Sequence, residues 1–243
     1  VIATAVLVAL SIYIIDRVKL SDARHDPADR LAHPGRFEFV SRHAGLLRTV
    51  ALLSGIGALV LAASLHWFAL PACLAGYVGV LLYAGGGSRH APHRPRIKDR
   101  LLVKNVYVAA GITGLCALLV AAGSHVRWRE LGLGAAVLLL IVLGDSVLCD
   151  IPDAESDARF GTHTVPNVFG AAAAWVIALV CHLGSVAIVV TRLGIADTSW
   201  SGLVLPAAIA ATTAMLMAIR PTHLRDIVDA RLGAFGVIAL VAG

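Results

Sequence analysis

The segment from Asp145 to Asp157 reads Asp-Ser-Val-Leu-Cys-Asp-Ile-Pro-Asp-Ala-Glu-Ser-Asp, with no basic residue among its acids. Asp150, Asp153 and Asp157 are spaced i, i+3, i+7, which on a helix lays three carboxylates along one stripe. Like charges stacked in this way repel. A divalent cation with hard oxygen ligands would offset the repulsion, and Mg2+ typically takes one or two protein carboxylates together with substrate phosphates. Asp145 lies deeper, inside an apolar run, where an ionisable group costs roughly 2.5–3.5 kcal/mol on insertion scales and marks a cavity or a site. The plainer reading is a solvated loop. In it Asp150 caps a short helix, Pro152 occupies the first turn, and the acids favour the positive end of the dipole. Spacing alone leaves both readings open.

The elements that must position these acids are apolar helices. Of the 243 residues 58% are hydrophobic and only 14% charged, and the mean hydropathy is +0.84. Soluble domains carry about 25% charged residues, so this chain has too little charge to cover a water-facing surface. Apolar segments run over 1–15, 46–65, 67–84, 102–122, 131–149, 166–191, 202–219 and 229–243. The interior ones are about 18–25 residues long, enough at 1.5 Å per residue to cross a ~30 Å hydrocarbon core. Stretches such as 135–143 are apolar all round, unlike the amphipathic helices of a soluble core. Small residues recur within the spans (Gly55, Gly57, Gly111, Gly114, Gly132, Gly134 and Ala171 to Ala174), as close helix packing in lipid requires. The expected fold is all-α, a polytopic transmembrane bundle forming a single domain over 1–243. Val1 opens inside one apolar run and Gly243 ends inside another, so the chain is expected to be a piece of a longer one.

If the segments alternate in direction, one side of the bilayer receives every Lys and Arg except Arg127, Arg129 and Arg192. Under the positive-inside rule that side is cytoplasmic, and it also holds the acidic segment. Trp67, Trp128 and Trp200 sit at segment edges on the other side, as an interfacial aromatic belt would. The net charge of +5 therefore points to topology and anionic lipid rather than nucleic acid, since no aromatics interleave the basic residues for base stacking. Cys73, Cys116, Cys149 and Cys181 form no CxxC pair, which excludes a zinc site or disulfide framework of the usual spacing. His90, His93 and His163 have no acid at ligand spacing and read as polar loop residues.

The stretch from Cys149 to Pro166, with Asp150, Asp153, Asp157, Gly161, Thr162, Thr164 and Pro166, resembles the second aspartate-rich motif of the UbiA-type intramembrane prenyltransferases. In that family an acidic run DxxDxxxD is followed by a Gly and a Thr-Leu-Pro-like turn into the next helix. The family has nine helices, with acidic motifs at the cytoplasmic ends of the second and sixth. On this resemblance 1–15 is the second helix, 131–149 the sixth and 229–243 the ninth. The first family motif, NDxxDxxxD, meets the stretch Ile15 to Ala23. Asp16 is kept, Lys19 stands at the second acid and Ala23 at the third, with Asp22 and Asp26 nearby. A protonated lysine cannot coordinate a cation, but it can bind a diphosphate as a point charge. Tyr83 and the run Arg94, Arg96, Lys98, Arg100, Lys104 resemble the family's tyrosine-plus-basic region that contacts diphosphate oxygens.

The resemblance implies prenyl transfer from a polyprenyl diphosphate to an acceptor within the membrane. Asp150, Asp153 and Asp157 are the implied catalytic residues and, with Asp16, the ligands of Mg2+. Asp145, Lys19, Asp22, Tyr83, Arg94, Arg96, Lys98 and Arg159 are the implied substrate-binding residues. The implied location is a bacterial inner membrane, with the site facing the cytoplasm. Two other readings remain. One is a relative that binds or moves an isoprenoid or lipid without catalysis. The other is a CDP-alcohol phosphotransferase, whose DxxDGxxAR motif fits Asp150 and Asp153 but misses Arg159 by one position, with no later DxxxD.

Overall fold

The computed structural model describes residues 1–18, 27–85, 99–193, 201–231 and 234. Its helices are α1 (Ile2–Val18), α2 (Pro27–Ala32), α3 (Pro34–Arg42), α4 (Ala44–Leu65), α5 (Ala69–Gly85), α6 (Val103–Gly123), α7 (Trp128–Cys149), α8 (Ala154–Arg159), α9 (Val165–Phe169), α10 (Ala171–Leu193) and α11 (Ser201–Ile219). A further helical stretch covers 224–231, and no strand occurs among the described residues. The fold is thus an all-α bundle. Helices α4, α6, α7, α10 and α11 are long and apolar enough to cross a membrane, and only 22–33% of each apolar window is buried in the protein. The apolar remainder, including Leu52, Leu53, Val60, Val180 and Val204, lies exposed. In water such a surface would drive association; in lipid it is already solvated.

The chain divides into two compact units. The first comprises Val1–Arg100, Gly114–Leu131 and Arg159–Thr162. Here α1 packs on α4 and α5, and Ser11 donates to the Ala51 carbonyl at 2.8 Å. Its core joins Val8, Ala58, Ala62, Ala69, Cys73, Leu119 and Ala122, mostly small side chains that let backbones approach. A Cβ on Gly55 would stand 3.1 Å from Ser11 Oγ, so that glycine is needed for close packing, and Gly57 meets Leu7. At Gly111, Gly114, Gly132 and Gly134 an added Cβ would meet no heavy atom of another element within 4 Å among the described residues. Small size inside an apolar run therefore marks a contact only when the residue also falls on the packed face.

The second unit comprises Leu101–Thr113, Gly132–Ala158 and His163–Gly243. Its core sets Leu148 of α7 against Trp175 and Ala178 of α10, Leu216 of α11, and Leu224 and Val228. On α10 the buried residues Trp175, Ala178, His182 and Ser185 recur at three- and four-residue steps, one helical face turned inward. Two segment boundaries differ from the sequence reading. The run 166–191 is not one helix: Gly170, at φ 86 and ψ 158, separates α9 from α10 in a region that essentially only glycine occupies. The last segment becomes helical at 224 rather than 229. Leu224, Val228 and Arg231 face inward at i, i+4, i+7, while Asp226 and Asp229 between them lower the local hydropathy.

Candidate functional site

Helix α7 ends at Cys149 because Pro152 lacks an amide hydrogen and disfavours helical backbone at Ile151. Tight turns follow, with Asp150 N–H donating to the Val147 carbonyl at 3.3 Å and Ile151 N–H to Leu148 at 3.1 Å. Asp153 then precedes α8, and its carbonyl accepts from Asp157 N–H at 2.8 Å and Ser156 Oγ at 2.9 Å. The expected single helical stripe is thus broken at Pro152. Asp150 and Asp153 lie in turns, and Asp157 sits in the first turn of α8, where the helix dipole favours an acid.

The loop is not solvated. Asp150, Asp153 and Asp157 are only 2%, 8% and 8% exposed. Buried carboxylates require partners. Lys104 Nζ lies 2.6 Å from Asp150 Oδ1 and 3.7 Å from Asp157 Oδ2, so one ammonium serves two acids. Asn105 donates from Nδ2 to Asp150 Oδ2 and to Ser146 Oγ, each at 2.9 Å. Arg225 Nη1 donates to Asp153 Oδ2 at 2.6 Å. Lys104 stands in the first turn of α6 and Asp150 just past the last residue of α7, so each charge is on the wrong end of its own helix dipole. Pairing them offsets both mismatches. The turn into α6 is itself strained: Leu102 has φ 60, a conformation that costs a non-glycine residue roughly 1–2 kcal/mol.

One turn deeper, Asp145 is 3% exposed and lies among residues the sequence reading left aside. Arg231 donates to Asp145 Oδ1 from Nη2, and from Nη1 to Thr213 Oγ1 at 2.7 Å and Thr212 Oγ1 at 3.0 Å. His182 Nδ1 lies 2.8 Å from Thr213 Oγ1, and its Nε2 faces the Ile141 carbonyl at 3.3 Å and Asp145 Oδ1 at 3.4 Å. Two acceptors facing Nε2 put the ring proton there and leave Nδ1 to accept from the threonine. Gly144 makes this approach possible, since a Cβ there would stand 2.4 Å from His182 Nε2.

The tail of the motif has a local cause as well. Gly161 takes φ 74, Asn167 Oδ1 accepts from Thr164 N–H at 2.9 Å, and Pro166 occupies the start of α9, where no amide hydrogen is needed. In the first unit, Thr162 donates to Asp99 at 3.0 Å.

The other sequence-derived candidates are placed as follows. Asp16 is half-buried in the last turn of α1 and Tyr83 is half-buried on α5, both in the first unit. Arg159 ends α8 and is exposed. Lys19, Asp22, Arg94, Arg96 and Lys98 lie outside the described residues. Among the described residues, Lys104 and Arg225 pair with these acids and Arg231 pairs with Asp145. The rule that flagged Asp145, an ionisable group inside an apolar run, applies equally to Arg231 and His182 and would have found them.

The donor chemistry at this end fits a hard cation. It offers three aspartates and the Asn105 Oδ1 oxygen, which is buried with no hydrogen-bond partner among the described residues. As arranged, Asp150 and Asp157 share Lys104 while Asp153 is paired with Arg225. Among the described residues no group of three or more His, Cys, Asp or Glu is gathered closely enough to hold a metal ion.

No curated protein and no solved structure matches the chain. The model of the UbiA prenyltransferase family matches residues 1–236, nearly the whole length, including every acid and cation described above. Prenyl transfer in the membrane is that family's general activity. With five membrane-length apolar helices among its described residues, this integral membrane protein belongs to the UbiA prenyltransferase family.

Proposed function

We propose that the chain transfers a prenyl group from a polyprenyl diphosphate to an acceptor within the membrane, with Asp150, Asp153 and Asp157 at the diphosphate end. The observation that carries this reading is the burial of all three aspartates, each against basic side chains, beside the end of a membrane-length helix. A site that must grip a diphosphate needs both signs of charge in a dry place, and this one has them. Mg2+ held by Asp150, Asp153 and Asp157, together with Asp16 as the resemblance implies, would supply positive charge that stabilises the leaving diphosphate. Lys104 and Arg225 add fixed cations beside it. The allylic C–O bond breaks with its electron pair leaving on the diphosphate oxygen. The prenyl carbon then bonds to the acceptor, which releases a proton. Apolar helices solvate the isoprenoid tail and keep water from the cation. Lys19, Asp22, Tyr83, Arg94, Arg96, Lys98, Arg159 and Asp145 remain assigned to the substrate side by resemblance, in a bacterial inner membrane with the site facing the cytoplasm.

Magnesium-dependent release of diphosphate from a prenyl diphosphate tests the proposal. Asp150→Ala and Asp153→Ala should each lower it by about 10²-fold or more, the scale set by removing a group that stabilises developing charge. Release unchanged in both variants would refute the assignment. Lys19 at an acid position of the first motif favours a second reading, a relative that binds the diphosphate without turnover. Saturable binding of a prenyl diphosphate with no product in any acceptor mixture would select it.

A further inference from the structure

Lys104 has a position that ordinary topology does not explain. Its ammonium sits between two acids of one motif, 2.6 Å from Asp150 Oδ1 and 3.7 Å from Asp157 Oδ2. Its side chain is 19% exposed and those of the acids 3% and 12%, so the grouping is largely shielded from water. At the first turn of α6 a cation is opposed by the helix dipole, so the carboxylates, not the helix, hold it in place. In the next residue of α6 the buried Asn105 Oδ1 has no hydrogen-bond partner among the described residues, while the same side chain's Nδ2 is bound to Asp150. Two buried carboxylates sharing one largely shielded monovalent cation make the charge pattern of a metal site filled by the chain's own lysine.

A divalent cation cannot join these acids while the ammonium stays, because like charges at that spacing repel strongly in a shielded site. Displaced, the ammonium loses its anionic partners and needs another; a diphosphate provides one. We infer that Lys104 is a built-in competitor for the metal, occupying the acidic motif until a diphosphate arrives, so that metal and diphosphate load together rather than separately. This rests on the reading of Asp150 and Asp157 as the diphosphate end. It adds that the empty enzyme disfavours metal alone. Such linkage is reciprocal: whatever factor diphosphate adds to metal affinity, metal adds to diphosphate affinity.

The test is Mn2+ binding to the full chain in detergent micelles, followed by loss of the free-ion electron paramagnetic resonance signal. Without diphosphate, Lys104→Met should bind Mn2+ about tenfold or more tightly than the unaltered protein, within the usual range of site-to-site coupling. Lys104→Arg, which keeps the cation, should stay within about threefold of the unaltered protein, well below that coupling. A lysine with a merely structural role predicts the opposite sign, since its loss would disorder the acids and weaken binding. Unchanged or weaker Mn2+ binding by Lys104→Met overturns the inference. If that variant does not fold, Lys104→Gln carries the same comparison, because it removes the charge and keeps a hydrogen-bond donor. Should equilibrium dialysis against Mn2+ and inorganic pyrophosphate show no Mn2+ retained by the unaltered protein, the metal-diphosphate reading falls first and takes this inference with it.

Discussion

Asp145 and Arg231 carry opposite charges into the interior of the second unit, and neither can be understood alone. Arg231 is 7% exposed and its two Nη nitrogens donate to Asp145, Thr212, Thr213 and the Ile209 carbonyl. A buried pair is weak evidence for stability, because desolvating both ions consumes much of their attraction, yet breaking it is expensive. Arg231→Met leaves the Asp145 carboxylate buried without its cation and should destabilise the protein by about 3–5 kcal/mol. The double variant Asp145→Leu, Arg231→Met should recover most of that loss, since apolar side chains of similar size replace both charges. Unfolding of the purified protein in mixed micelles measures both. A single variant within about 1 kcal/mol of the unaltered protein would mean that the pair is not buried in solution.

At the scale of the helix, glycines that look alike in the sequence have opposite roles. Gly170 joins α9 to α10 at φ 86 with no neighbour within 4 Å of an added Cβ, so its constraint is purely one of backbone. Gly170→Ala should cost roughly 1–3 kcal/mol through strain. Gly111, inside α6 and equally uncrowded, should gain about 0.5–1 kcal/mol on replacement by alanine, because the helix no longer holds a residue with so much backbone entropy to lose. The same unfolding measurement compares them, and equal effects at the two positions would reject the break at Gly170. What the sequence made legible follows the same division. Hydropathy located α4, α6, α7 and α11 to within a few residues, since a lipid-facing helix displays its composition all round. It missed the break at Gly170, which is written in a dihedral, and the early start at 224, which is written in a buried face carrying Arg231. In the candidate site the acids stood out by type, while the helical stripe their spacing predicted is broken at Pro152. Lys104 was visible only as the last of a basic run, and Arg225 as one more topology charge. Their pairing with Asp150 and Asp153 spans 46 and 72 residues of chain, a separation no local pattern reports.

For the whole molecule, the charge distribution predicts an orientation that labelling can check. Helix α7 begins at Trp128 and ends at Cys149, a rise of about 33 Å at 1.5 Å per residue, so Arg129 and the acidic motif stand at opposite ends of a membrane-length rod. Helix α4 likewise separates Arg42 from Trp67. Arg42, Arg129 and Arg159 are all exposed and make suitable reporters. With Cys73, Cys116, Cys149 and Cys181 replaced by alanine, a membrane-impermeant thiol reagent should reach Arg42→Cys and Arg159→Cys only from the cytoplasmic side. It should reach Arg129→Cys only from the other side. Labelling of Arg129→Cys and Arg159→Cys from one side would deny that α7 crosses the bilayer at all. Labelling of Arg42→Cys and Arg159→Cys from opposite sides would leave α7 intact but break the alternation of helices. The acid of the first motif, Asp16, would then belong to the wrong leaflet to share a diphosphate with Asp150, and transfer would have to rest on the second motif with Lys104 and Arg225 alone.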